Sequence, residues 1–92
     1  MIRITQGRRF QRDARELTAA ERTEVEATLR ALSEAFGNPH VHAGLGIRRL
    51  HANAFECRAG IRLRVLFFAG GEEVICYAVG NHDYLRRLLR SL

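Results

Sequence analysis

The sequence contains no lysine, and all fifteen of its basic residues are arginine. Genome composition alone produces such a bias, so this absence carries no functional conclusion. Other shortages exclude more. No apolar run approaches the roughly 18–20 residues of a membrane span. The opening "MIRIT" has no apolar segment of the kind a signal peptide carries. Both point to a cytoplasmic protein without a membrane partner. Repeats, linkers and low-complexity segments are also missing, so residues 1–92 are expected to form a single domain. A chain of this length buries roughly 60–65 % of the surface it exposes when unfolded. Its apolar fraction of 47 % argues against disorder.

Cysteine is scarce as well. Cys57 and Cys76 show no C-x-x-C spacing, and each falls inside a segment with strand character. If their strands flank a third, the two lie about 10 Å apart, beyond disulfide reach. Both therefore read as small buried side chains. His40, His42 and His51 resemble a metal cluster only superficially. Their spacing matches no standard zinc pattern and no cysteine sits nearby, so no metal and no cofactor is expected.

What is present is positive charge, unevenly spread. The net charge is +5. Residues 1–43 hold seven arginines against six acids, and residues 44–92 hold eight against four. A basic half suits a polyanionic partner, nucleic acid above all, although a soluble basic surface without a ligand has the same composition.

Periodicity divides the chain at the same place. "MIRIT" alternates Ile2 and Ile4 with polar residues, a short strand. Residues 8–36 follow as an αα-hairpin. Phe10, Ala14 and Leu17 share one face of its first helix. "TAAE" at 18–21 is a capping box opening the second, which carries Val25, Leu29, Leu32 and Phe36 as one stripe. Gly37 and Pro39 stop it. The second half changes to strand period in "GIRRLH", "AFECRA", "RLRVLFFA" and "EVICYAV", with Gly70-Gly71 as a hairpin signal. "DYLRRLLRSL" closes the chain as a helix. The fold class is α+β: an N-terminal strand, an αα-hairpin, then an antiparallel β-meander with a C-terminal helix, helices lying mainly on one face.

Alternation along strands sorts the side chains. Phe55, Cys57, Leu63, Val65, Phe67, Ile75, Tyr77 and Val79 form the set expected to face the helices. Glu56, Arg58, Arg62, Arg64, Val74, Cys76 and Ala78 form the opposite face. Phe68 has the outward parity. That face would carry three arginines beside a floor of small residues, with His82 at its rim. A solvated surface explains any one of these arginines, whereas three together favour a phosphate site. The arginines at 86, 87 and 90 lie on the last helix, as a soluble surface or a nucleic-acid footprint.

Metal-free RNA cleavage needs a deprotonated ribose 2′-OH, a neutralised phosphorane and a protonated 5′-oxygen. Arginine suits the second task, being permanently charged and bidentate toward phosphate. An imidazole suits either proton transfer near neutral pH. His82, in "VGNHD", is the candidate, with turn filler as its plainer role. Asp83 or Glu56 could orient it, and Asp83 also reads as the N-cap of the last helix.

The ordered layout "IRRLH…AFECRAGIRLRVLFFAGGEEVICYAVGNHDYLRRLL" resembles the RelE/ParE superfamily of type II toxin–antitoxin toxins. The likeness lies in an arginine embedded in "RLRVLF", a glycine hairpin, a final apolar strand and Gly-x-His opening the last segment. It spans the whole chain and implies a RelE-like two-layer fold. It also implies a toxin held inactive by a cognate antitoxin, with a heterotetramer among the assemblies expected. RelE-type members cleave mRNA in the ribosomal A site, a metal-independent endoribonuclease activity that inhibits translation. ParE-type members inhibit DNA gyrase without known hydrolysis, and a non-catalytic basic RNA-binding module is a further alternative. Carried over, Arg64 takes the place of a phosphate-binding arginine in the third strand of the meander. Arg58 takes that of a basic residue on the strand before it, and His82 that of a His or Arg after the final strand. His82, Arg64 and Arg58 are thus the catalytic candidates, with Arg62 joining the two arginines on phosphate. Glu56 stands where some members have a second lysine. Phe68 and Tyr84 are candidates for stacking on bases.

Overall fold

The computed structural model describes residues 2–35 and 43–91. Among them, five strands and three α-helices follow in the order β1 (Arg3–Gln6), α1 (Arg8–Arg15), α2 (Ala19–Ala35), β2 (Arg48–His51), β3 (Ala54–Ala59), β4 (Leu63–Gly70), β5 (Glu73–Gly80) and α3 (His82–Arg90), with a 3-10 turn at Ala43–Leu45. The α+β reading holds, including the helix hairpin and the four-strand meander. Phe36, Gly37, Pro39, His40 and His42 lie outside the described residues. No helix among those described is long and apolar enough to cross a membrane.

The capping box forms as its sequence dictates: the Glu21 amide donates to Thr18 Oγ1 at 3.1 Å and the Thr18 amide to Glu21 Oε1 at 2.9 Å. Behind it, Val25, Leu29, Leu32 and Ala35 are buried against the sheet with Phe10 of α1. Burying side chains of this size is worth about 1.5–3 kcal/mol each for the larger aliphatic ones.

The sheet has the order β1-β5-β4-β3-β2. β2 to β5 form the antiparallel meander, while β1 joins the far edge parallel to β5. β4 and β5 turn through Gly71 and Glu72, with Gly70 still paired to Glu73. Gly71 has φ +60°, a left-handed turn that glycine enters without a Cβ penalty.

One irregularity revises the face assignment. Leu66 pairs with Ala78 but Phe67 pairs with Cys76, so Tyr77 is an extra residue in β5. The bulge inverts the alternation on one side of it. Val79 stays in the main core, but Val74 and Cys76 join it there, whereas Ile75 and Tyr77, expected inward, lie on the opposite face. The arginine face consequently has a floor of Leu66, Ala78 and Tyr77 rather than of Val74 and Cys76. α1 and α2 cover one face of the sheet. α3 packs on the other, where Leu85 is buried against Leu66 and Ala78.

The edge of β5 is closed in two ways. β1 pairs with Glu73 through Cys76 and ends with the Gly7 amide on the Cys76 carbonyl at 2.9 Å. Beyond that point α1 runs along the strand, and Asp13 Oδ2 accepts the Val79 amide at 3.1 Å. A side chain thereby satisfies an amide that no strand reaches.

Candidate active site

The outer face of the meander centres on a buried acid. Glu56 is 5 % exposed. Its Oε2 lies 3.0 Å from Arg48 Nη2 and 3.3 Å from Arg64 Nη1. Both contacts follow from register. Arg48 is directly opposite Glu56 across β2–β3, and Arg64 is diagonal to it across β3–β4. Arg58 is directly opposite Arg64, and Arg64 is in turn opposite Gly80 of β5. Like charges facing each other across a ladder repel, and Glu56 offsets the Arg58–Arg64 pair from two positions away.

His82 lies just past the end of this ladder, beside a hollow that neither Arg58 nor Arg64 borders. Two residues past the partner of Arg64, His82 begins α3 with its side chain exposed. It borders a hollow of about 410 Å³ with Asp83, Arg86, Arg87 and Arg90. A second hollow, about 380 Å³, lies between β2 and α3, where Arg48 faces Leu85, Arg86 and Leu89 over Glu56, while the Arg49 guanidinium lies over the Phe55 ring at 5.5 Å. Arg86 borders both, so the two form one arginine-lined surface around α3.

Of the residues expected at the site, Arg58, Arg64 and Glu56 stand together. Arg62 does not join them. It lies in the β3–β4 turn, before β4 begins, and borders a different hollow with Asp13, Glu16 and Glu21. Strand alternation starts at Leu63 and does not reach across the turn to Arg62. Glu56 is committed to two guanidiniums rather than turned to the imidazole. Asp83 is not the N-cap. Asn81 is, its Oδ1 accepting the Tyr84 amide at 2.9 Å, and Asp83 sits in the first turn, where a carboxylate favours the helix dipole. Tyr84 turns its hydroxyl to Asp13 Oδ1 at 2.8 Å. Phe68 is half-buried, edge-on to Tyr77 at 5.5 Å, on the outward side as expected.

Three residues escaped the sequence reading. Arg48 and Arg49 were visible in "IRRLH", but only the β2–β3 register brings Arg48 to Glu56. Asp13 is 66 positions from Val79 and 71 from Tyr84, and no spacing signals such contacts.

No family model matches the sequence, and no curated protein is similar to it in sequence. The fold is matched by solved structures. A chain of the RelB–RelE antitoxin–toxin complex from Methanococcus jannaschii superposes with a TM-score of 0.71 at 13 % identity, covering 91 % of this chain and 96 % of that one. The isolated Escherichia coli RelE toxin matches over 100 % of both chains with a TM-score of 0.64 and 14 % identity. A chain of the intact E. coli RelBE toxin–antitoxin complex matches at 0.67 and 17 % identity, covering 88 % of this chain and 96 % of that one. The protein therefore has the fold of the RelE toxins.

Proposed function

We propose that this chain is the toxin of a type II toxin–antitoxin pair and cleaves mRNA on the ribosome in the cytoplasm. The observation that carries the reading is the cross-strand line Arg58–Arg64–Gly80, which sets two arginines in register with the end of β5, two residues before His82. The RelE-like fold and the antitoxin complexes among its structural relatives support it.

In this reading Arg64 and Arg58 hold the scissile phosphate and offset the charge that grows on it as the 2′-oxygen attacks. The phosphorus–5′-oxygen bond breaks, and His82 carries the proton that this exchange moves. A single imidazole in an arginine field is sparse for a free ribonuclease. It suits an enzyme whose substrate the ribosome already holds extended and in place. The arginine-lined surface around α3 also suits an antitoxin segment rich in acids and leucines, laid over Leu85, Leu88 and Leu89.

The test is a cleavage assay on ribosomes programmed with a defined mRNA, read by primer extension. Cuts confined to ribosome-bound message and suppressed by the neighbouring gene's product are expected. Intact message together with loss of gyrase supercoiling would assign the chain to the ParE-like alternative.

A further inference from the structure

The turn that carries His82 is held by a closed run of hydrogen bonds anchored in a distant helix. Asp13, the only acid of α1, uses both carboxylate oxygens: Oδ2 accepts the Val79 amide at 3.1 Å and Oδ1 accepts the Tyr84 hydroxyl at 2.8 Å. The Tyr84 amide donates to Asn81 at 2.9 Å. The Tyr84 ring lies against Gly80 so closely that no Cβ fits there. Residues 79 and 84 are thus pinned to one carboxylate, and His82 lies between them with its side chain outward.

A structural anchor for α3 is the simplest role for this arrangement. Yet α3 already has one, since Leu85 is buried against Leu66 and Ala78 on the sheet. The hydroxyl–carboxylate bond acts instead on the first turn, where a short helix has unpaired amides and is freest to move. Tyr84 also keeps its proton well into alkaline pH, because burial and the bond to Asp13 raise its pKa above the ordinary tyrosine value. The donor therefore persists wherever an imidazole would work.

We infer that Asp13 and Tyr84 are positioning residues that aim His82 at its substrate by fixing the β5–α3 turn. The inference rests on the reading of His82 as the proton-transfer group. Neither residue touches the phosphate site. Their effect passes through the imidazole alone.

The test is a double-mutant cycle in single-turnover cleavage on programmed ribosomes. Tyr84→Phe keeps the ring on Gly80 and removes only the hydroxyl. Its rate constant at saturating toxin is expected to fall about 10- to 100-fold, as a misplacement of about 1 Å does, with half-saturation unchanged. Asp13→Asn, which cannot accept both bonds, should fall in the same direction. In the His82→Ala background Tyr84→Phe should cost nothing further. A wild-type rate for Tyr84→Phe, or the same loss with and without His82, overturns the inference. If wild type does not cleave, or His82→Ala cleaves as fast as wild type, the reading of His82 has failed instead. The clamp is then scored by NMR of the carbon-13-labelled His82 ring. Signals that broaden or average in Tyr84→Phe support it, and unchanged signals overturn it.

Discussion

Arg64 meets its counter-ion inside the candidate site: its Nη1 lies 3.3 Å from Oε2 of the buried Glu56. The carboxylate thus occupies one face of the guanidinium that the proposed function assigns to phosphate. In that reading an incoming phosphate shares Arg64 with Glu56 or displaces it.

Glu56→Gln keeps the shape and removes the charge. Hydrogen bonds to charged groups contribute about 1.5–3 kcal/mol each, but Arg48 is 58 % exposed and is rehydrated when its partner goes. The expected loss of stability is therefore about 1–2 kcal/mol in a urea melt, toward the low end of that range. RNA affinity should rise at the same time. A variant that is less stable and binds RNA no better would show that Glu56 is purely structural.

Salt dependence separates the arginines. Each phosphate contact contributes a log–log slope of about −0.7 to −0.9 to binding. Replacing Arg58 and Arg64 together with Gln should flatten the slope by nearly two. Arg62→Gln should leave it nearly unchanged, because Arg62 borders the hollow that holds Asp13, Glu16 and Glu21. Equal effects from all three would restore Arg62 to the arginine face.

Much of this arrangement is readable from the residues, and the failures have physical causes. The capping box, the stripe through Val25, Leu29 and Leu32, and the meander are local patterns, and they formed. Face assignment by alternation succeeded in β3 and in β4 beyond Arg62. In β5 the extra residue Tyr77 defeated it, since a bulge leaves no mark in a run as apolar as "VICYAV". The parallel pairing of β1 with β5 and the bonds from Asp13 join chain segments more than 60 residues apart. Only the assembled fold shows them. At the α3 cap Asp83 suits the role by residue type, but φ −78° with ψ 171° at Asn81, and the Tyr84 amide on its side chain, put the cap two residues earlier.

That cap can be tested directly. Losing a side-chain N-cap costs about 0.5–2 kcal/mol, so Asn81→Ala should destabilise the protein by roughly 1 kcal/mol. Asp83→Asn should cost only a few tenths, the dipole term of an exposed first-turn acid. Thermal melts of the two variants check the order. The reverse order would move the helix start by two residues.

The thiols make a prediction about pH. Burial pushes both Cys57 and Cys76 up to about 12, with the charge of Cys76 and then that of Glu56 adding to the effect on Cys57. Both should resist thiol reagents at pH 8 while the protein is folded and react once it is unfolded in urea. A raised thiol pKa favours the protonated form in the folded state. Its stabilisation is complete below the ordinary value near 9 and is lost as the pH climbs toward 12. The sequence has no lysine to add its own titration across pH 9–11. Urea midpoints should therefore fall over that interval. Native-state reactivity of either thiol would contradict the buried placement.

His82 and Arg64 carry the proposed chemistry, and both are peripheral to the core. His82 is exposed at the head of α3, and among the described residues its side chain makes no hydrogen bond. Arg64 is partly exposed, and among the described residues its side chain bonds only to Glu56. Truncating a group that transfers a proton costs about 10²–10⁴ in rate, and losing a donor that stabilises transition-state charge costs about 10²–10³. His82→Ala and Arg64→Ala should each lower ribosome-dependent cleavage by factors of that size and relieve growth arrest. The melting temperature of His82→Ala should stay within about a degree of wild type. That of Arg64→Ala should fall slightly, because Glu56 loses one of its two partners and keeps Arg48. If His82→Ala cuts message at the wild-type rate, the imidazole is a turn residue and the proton must move elsewhere. If it unfolds the protein, the exposed placement at the start of α3 is wrong.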